Sequence, residues 1–309
     1  MSIPSRLRRP TLLIIGCGDV GLRVARLLRG RYRLLGLTSS PGRRDELRAA
    51  GVRPLLGDLD DPASLQRLAG LADAVLHLAP PPAQGERDTR TAHLLAALGR
   101  KARVQRLVYG STTGVYGDRG GAWIDETAAL APQTARALRR VDAEARLRWY
   151  GRAFGARVSL LRIPGIYAVD REGGHPRERL LQGLPVLRQA DDVYTNHIHA
   201  DDLARACVAA LHRGKPQRVV HASDDTELLM GDYFDLAADL CGLPRPPRIS
   251  REDARTVMSP MRVSFMSESR RLHNSRLKGE LRLRLRYPTV ADGLSVKLEP
   301  PPGGGQGEP

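Results

Sequence analysis

The sequence predicts an α/β fold, a doubly wound parallel sheet carrying a smaller C-terminal lobe, on three observations. Apolar strand-like runs alternate with helix-like segments from residue 12 to residue 162, the pattern of repeated β-α-β units. The first apolar run, Leu12-Leu-Ile-Ile15, passes directly into a glycine turn and then a helix. Beyond Pro164 the alternation loosens and proline-rich connectors appear, around Pro244 to Pro247. A chain of 309 residues can bury a large core, as one elaborate α/β domain or a domain with a smaller partner lobe.

Taken in order, residues 12–15 read as a buried strand, and Leu22, Val24, Ala25, Leu27 and Leu28 as the apolar positions of the helix that follows. Strands are predicted next at 32–38 and 52–56, with a helix at 43–50 between them. A helix at 63–71 and a strand at 74–78 follow, then a helix at 89–98 and a strand at 106–109. A long helix within 134–154 and a strand at 158–162 complete six strand signals. In the lobe, helices are predicted at 177–182, 200–211 and 233–240, with a strand at 219–222; some of these elements are expected to return to the main sheet. The alternation Arg282-Leu-Arg-Leu-Arg286 reads as a strand with one basic face, or as a solvated edge strand. Residues 299–309, rich in proline and glycine, read as a disordered tail.

The net charge of +15 suggests a nucleic-acid footprint until the basic residues are sorted. All but Lys101, Lys215, Lys278 and Lys297 are arginines, spread through every predicted helix except 233–240 and often beside Asp or Glu. With two Trp and three Phe there are few stacking platforms, so neither nucleic acid nor a membrane is an expected partner. Cys17, Cys207 and Cys241 are odd in number and widely spaced, which suggests neither a disulfide framework nor a zinc site. A reducing cytoplasm is the expected compartment, since the N-terminal apolar run is too short for a signal peptide and no stretch approaches a membrane span.

Gly16-Cys17-Gly18-Asp19-Val20-Gly21 is a G-x-G-x-x-G turn in the strand-turn-helix context that a dinucleotide site requires. Gly16 permits the tight turn, Gly18 a close approach of backbone to a pyrophosphate, and Gly21 close packing of helix on strand. The helix N-terminus then offers free N–H groups and a positive dipole end. Some twenty residues on, where an acid would hold the ribose of NAD, the chain has Thr38, Ser39 and Ser40, then Arg43 and Arg44. Small neutral residues followed by arginines suit a ribose 2′-phosphate, so NADP is expected ahead of NAD; the alternative is that both arginines only begin an exposed helix. Asp58 either accepts from an adenine amino group or is a plain helix cap.

Four further segments carry a family resemblance. They are Ser111-Thr-Thr-Gly-Val-Tyr-Gly117, Arg136-x-x-x-Arg140-x-x-x-Glu144, Leu161-Arg-Ile-Pro-Gly-Ile-Tyr167 and Asn196-His-Ile-His-Ala-Asp-Asp-Leu-Ala204. In this order and spacing the chain resembles the extended short-chain dehydrogenase/reductases, the NAD-dependent epimerase/dehydratase proteins, from the first strand to about Leu294. The resemblance implies a Rossmann domain over 1–165, a substrate lobe over 166–298, a nicotinamide cofactor and, at the helices 89–98 and 134–154, a possible homodimer contact. It places cofactor contacts at Gly16, Cys17, Gly18, Asp19, Val20, Gly21, Thr38, Ser39, Arg43, Asp58, Leu59, Leu78, Ala79, Pro80, Arg140 and Ile163. Substrate contacts are expected at Thr113, Tyr167, His199 and Arg276.

Two departures matter. That family uses a Ser or Thr, a Tyr and a Lys for acid/base work; the matching positions here are Thr112, Arg136 and Arg140. Arginine stays protonated at any working pH and cannot exchange a proton near neutrality, but its fork can hold a ribose, a phosphate or an anionic substrate. The glycine turn is also one residue tighter than the family's usual G-x-x-G-x-x-G. Both features resemble an atypical subgroup that keeps the cofactor site and lacks the Tyr-Lys pair. Thr113 and Gly114 stand where sugar dehydratases carry an Asp-Glu pair, which disfavours dehydration. Tyr116, Tyr167, His197 and His199 are the remaining proton-transfer candidates, each with a packing or capping role as the alternative. The expectation is an NADP-binding oxidoreductase or epimerase-like enzyme for a small anionic metabolite, or else a catalytically silent NADP-binding sensor or scaffold.

Overall fold

The computed structural model describes residues 9–295. Seven strands form one wholly parallel sheet: β1 (Thr11–Ile15), β2 (Arg33–Thr38), β3 (Arg53–Leu56), β4 (Ala74–His77), β5 (Arg106–Thr112), β6 (Arg157–Ile163) and β7 (Arg218–His221), in the order β7-β6-β5-β4-β1-β2-β3. The chain runs outward from β1 in one direction and then back to β4 beside it, so the topological switch point, and a cleft at the strand ends, lies between β1 and β4. The predicted fold class is therefore the observed one.

Successive side chains of a strand point to opposite faces, and here both faces are covered. Leu12, Ile14, Leu34, Leu76, Val108, Leu161 and Val220 pack against helix α1 (Asp19–Leu28) and the helix Ala200–Arg213. Leu13, Ile15, Leu35, Val75, Leu107 and Leu160 meet α3 (Thr89–Gly99) and α4 (Ala135–Phe154), α2 being the short Arg44–Ala49. Burial on both sides is why these strands read as continuous apolar runs rather than as alternations. Two segments of the predicted lobe join this body: β7 extends the sheet next to β6, and Ala200–Arg213, here α5, lies on α1. A separate cluster of Tyr167, Leu180, Val186, Tyr233 and Phe234 forms around α6 (Met230–Cys241).

Three predicted elements are corrected. Residues 62–68 form a 3₁₀ helix rather than the α-helix expected over 63–71: Asp61 caps Ala63 N at 3.0 Å, Pro62 starts it, and the chain turns out at Gly70 with φ +69°. The helix expected from residue 43 begins with a 3₁₀ turn, Pro41–Arg43, and becomes α only at Arg44. Residues 282–286 are not a strand. Leu281, Leu283 and Leu285 are buried and Arg282, Arg284 and Arg286 exposed, but Arg282 has φ +52° and the segment pairs with no strand. Its backbone is held instead by the Asp202 carboxylate, which accepts from Arg286 N at 2.8 Å and Tyr287 N at 2.9 Å. The tail expected over 299–309 lies outside the described residues, as do residues 296–298 of the predicted lobe. No described helix is long and apolar enough to cross a membrane.

Candidate dinucleotide and substrate cleft

The glycine turn after β1 shows a division of labour among its three glycines. Gly16 has φ +83°, and a Cβ there would stand 2.4 Å from the backbone nitrogen of Ala79. At Gly21 a Cβ would come within 2.9 Å of Gly16 O and 3.3 Å of Ile14, so this glycine sets how closely α1 packs on β1. A Cβ on Gly18 would meet nothing within 4 Å, because it faces open space at the helix N-terminus. No side chain caps that terminus, so its first N–H groups remain available to an anion. This cradle fits a dinucleotide pyrophosphate.

Three cavities follow one another along the strand ends. The first, about 340 Å³, is lined by the Gly16–Gly18 turn, Thr38, Ser39, Ser40, Arg43, Asp58, Leu59, Ala79, Pro80 and Arg90. The second, about 390 Å³, shares Gly16, Gly18 and Leu78 with it and adds Asp19, Val20, Gly21, Thr112, Arg140, Ile163 and Arg171. The third, about 630 Å³, shares Thr112, Arg140 and Pro164 with the second and reaches into the lobe past Thr113, Arg136, His197 and Tyr233. Every residue expected at the cofactor therefore lines the first or second cavity.

In the first cavity Arg43 lies over the turn, donating from Nη2 to Cys17 O at 2.9 Å and from Nε to Glu46 at 2.9 Å. That guanidinium holds the Glu46 carboxyl below the usual carboxylate range. Arg44 is exposed and lines none of these cavities. Asp58 bends its own loop, its carboxylate accepting from Asp60 N at 2.9 Å, and the helix-capping role falls to Asp61. Burial pushes the Cys17 thiol up to about 11. Sequence reasoning missed Arg90, which donates twice to Asp60, at 2.8 and 2.6 Å, and to Pro80 O at 3.3 Å; its only local signal is its place in the first turn of α3.

Arg171, from the loop after β6, was also missed. It reaches Asp19 at 3.2 Å across the mouth of the second cavity. Asp19 also pairs with the buried Arg23, which is further held by Asp170 at 2.6 Å and Asp201 at 2.5 Å. Arg140 donates from Nη1 to the Tyr109 hydroxyl at 2.8 Å and to Gly110 O at 2.9 Å, so it is fixed at the junction of the second and third cavities. Thr112 sits there too, its hydroxyl accepting from Gly114 N at 3.3 Å. Arg136, one turn before Arg140, is exposed on the wall of the third cavity, 4.6 Å from the Phe265 ring centroid.

Four expected site residues lie away from these cavities, each for a local reason. The 3₁₀ turn Thr113–Tyr116 carries Tyr116 back into the protein, where its hydroxyl lies 2.6 Å from Arg162 Nη1 and 2.5 Å from His221 Nε2. Arg162 is itself bound to Glu144 at 2.7 and 3.0 Å, and Glu144 accepts from Ser111 at 2.7 Å, forming a wholly buried network. Tyr167 donates to Thr289 O at 3.1 Å. His199 caps α5 by accepting from Asp201 N and packs on Tyr287 at 3.8 Å between centroids. Arg276 braces the sheet edge, donating to Val219 O at 3.1 Å beside Glu126 at 3.4 Å. Of the histidines only His197 lines the third cavity, stacked on Tyr233 at 4.2 Å; burial pushes it down to about 3, so its ring is neutral at physiological pH.

The comparisons with known proteins agree with this architecture. The profile of the NAD dependent epimerase/dehydratase family matches residues 12–222. No curated protein matches the sequence. Among solved structures, a functionally unknown conserved protein from Silicibacter pomeroyi is 32% identical, with a TM-score of 0.75 over 93% of this chain and 97% of its own. The UDP-glucose 4-epimerase of Thermotoga maritima, solved with UDP-glucose, is 18% identical with a TM-score of 0.76 over 92% of this chain and 96% of its own. A UDP-glucuronic acid 4-epimerase from Bacillus cereus, in complex with NAD, is 18% identical with a TM-score of 0.72 over the same shares; at such identities the likeness is one of fold. With more than half its length matched, the chain belongs to the NAD dependent epimerase/dehydratase family, whose members bind a nicotinamide dinucleotide.

Proposed function

We propose that this protein is an NADP-binding oxidoreductase or epimerase-like enzyme acting on a small anionic metabolite without the family's Tyr-Lys pair. The observation that carries the reading is the run of three cavities, each sharing residues with the next, with Thr112 and Arg140 at the step between the second and third. The Gly16–Gly21 turn would hold the pyrophosphate, and Thr38, Ser39 and Arg43 the adenosine ribose with its 2′-phosphate. When bound, the nicotinamide supplies hydride transfer. Arg140, already oriented by Tyr109 and Gly110, offers donors to an oxygen that gains negative charge, or to a carboxylate beside the reacting carbon. It cannot carry the proton.

A second reading, a catalytically silent NADP-binding sensor or scaffold, is favoured by one observation. The expected proton carriers Tyr116, Tyr167 and His199 are engaged elsewhere, and His197 is held far below neutrality.

Calorimetric titration with NADPH and NADH, beside Arg43→Ala, tests the cofactor assignment. Selective NADPH binding, weakened about tenfold in the variant, is expected, since a hydrogen bond to a charged group contributes about 1.5–3 kcal/mol. Absence of binding by either nucleotide would overturn it. Consumption of NADPH with any carbonyl acid would then exclude the silent reading.

A further inference from the structure

The third cavity is lined by far more positive than negative charge. Arg136, Arg140, Arg179, Arg262 and Arg270 line it, against the single carboxylate of Glu268, which is taken by Arg270 at 2.9 Å. Among the described residues the other four form no ion pair. Unpaired arginines elsewhere are mostly exposed on the open surface, whereas these four line one cavity together.

The distribution of the four matters. Arg140 is at the inner end, shared with the nicotinamide-side cavity. Arg179 and Arg262 come from the lobe, on the short helices Arg177–Leu181 and Pro260–Phe265. Arg179 is half-buried, its guanidinium 4.2 Å from the Phe234 ring centroid, its Nη2 donating to Pro185 O at 3.2 Å and its buried Nε without an acceptor. A guanidinium seated on a ring presents its N–H groups edge-on, a geometry suited to a carboxylate or phosphate. Burial and the like charge of Arg262 push Arg179 down to about 10. Two cations drawn together with no carboxylate between them are at a disadvantage until an anion arrives.

We infer that the substrate carries two separated anionic groups, one received at Arg140 and a second, a carboxylate or phosphate at the far end of the molecule, received between Arg179 and Arg262. The walls between these ends include Met230, Tyr233 and Phe234, which suit an apolar or planar body. This inference rests on the anionic-substrate reading above and adds the second charge and its receptors.

The test uses the full chain with NADPH present, titrated by calorimetry with linear dicarboxylates from malonate to suberate and with the monocarboxylates of matching length. One dicarboxylate length should bind about tenfold or more tightly than its monocarboxylate, from the charge-assisted hydrogen bonds at the second site. Arg179→Gln and Arg262→Gln should each bring that ratio close to one while the NADPH titration is unaltered. Because Arg262 is exposed, its variant reads the site even if the Arg179 variant folds poorly. Dicarboxylates that bind no better than monocarboxylates, or a ratio that survives in the Arg262 variant, would overturn the inference. The NADPH arm of the same experiment separates this from a failure of the dinucleotide assignment, which would show as no heat of cofactor binding.

Discussion

The two ends of the cleft are made of different material. At the glycine end, Gly16, Gly18 and Gly21 work through what they lack: a Cβ is excluded by Ala79 backbone at one, by Gly16 O at another, and at Gly18 would occupy the open space before α1. At the arginine end, Thr112, Arg136, Arg140, Arg179 and Arg262 are long or polar side chains brought together from β5, α4 and two lobe helices. A backbone cradle recognises a group common to all dinucleotides, whereas a cluster of side chains can be rebuilt for a new ligand while the sheet beneath it stays the same. In this chain the first end keeps a glycine turn, one residue tighter than the resemblance leads one to expect, whereas the second carries arginines at both positions of the expected Tyr-Lys pair.

The sharpest way to break that contrast is to loosen the support under the arginine end. Glu144 lies one turn beyond Arg140 on α4 and is tied to Arg162 in β6, both side chains being 2% exposed. Arg162→Met leaves the Glu144 carboxylate buried without its partner, a change that costs about 3–5 kcal/mol. Chemical denaturation should show a stability loss of this size. A loss below about 1 kcal/mol would mean that Ser111 and Arg148, which also approach Glu144, suffice to compensate it.

The glycine end can be split by a pair of variants. Gly16→Ala demands a strained positive φ and drives a methyl group into Ala79, a stability cost of about 3 kcal/mol. Gly18→Ala meets no atom of the protein and has φ −83°, so its stability should stay within about 0.5 kcal/mol of the parent. On the proposed reading the added methyl group stands where backbone approaches the pyrophosphate, and NADPH affinity should fall about tenfold. Equal stability losses in the two variants would remove the distinction drawn between them.

Between the two ends in size is a pH effect behind the third cavity. Asp224 is 4% exposed, its Oδ2 has no hydrogen-bond partner, and burial raises its carboxyl to about 8. The folded protein therefore holds this proton between roughly pH 4 and 8 while the unfolded chain has released it, and stability falls as pH rises through that window. Asp224→Asn keeps the neutral shape and should flatten the decline, so that the variant melts a few degrees above the parent at pH 9. Parallel melting curves across that range would show that Asp224 is ionised in the folded protein.

Much of the glycine end was legible because its determinants are local. The strand, turn and helix of residues 11–28 are contiguous, and the apolar runs of β1 to β6 reflect burial on both faces. Positions that depend on the path of distant loops were not legible. Arg171 is 152 residues from the Asp19 it meets, and the sequence around Arg179 and Arg262 gives no sign that they share a cavity. Proximity to a strand end also misled: Tyr116 and Tyr167 follow β5 and β6 as the motifs require, but a 3₁₀ turn sends one into the Arg162 network and a bond to Thr289 O holds the other. At 282–286 the period-two pattern reported burial correctly and pairing incorrectly, because the alternation is set by a loop tied through its backbone to Asp202 rather than by a neighbouring strand.

The smallest expected effect is at Arg44, and it sharpens the description of the glycine end. The sequence offers Arg43 and Arg44 as equivalents, but the 3₁₀ turn Pro41–Arg43 directs them differently. Arg43 reaches back over the glycine turn to Cys17 O and lines the first cavity, whereas Arg44 opens α2 on the exposed side. Arg44→Ala should leave NADPH affinity within about twofold, the residual being long-range attraction that salt screens over about 10 Å. A tenfold loss, matching that expected for Arg43→Ala, would mean that the 2′-phosphate is held farther out, by both arginines. The salt dependence of the two variants tells the cases apart, because a direct contact survives ionic strength that abolishes a distant one.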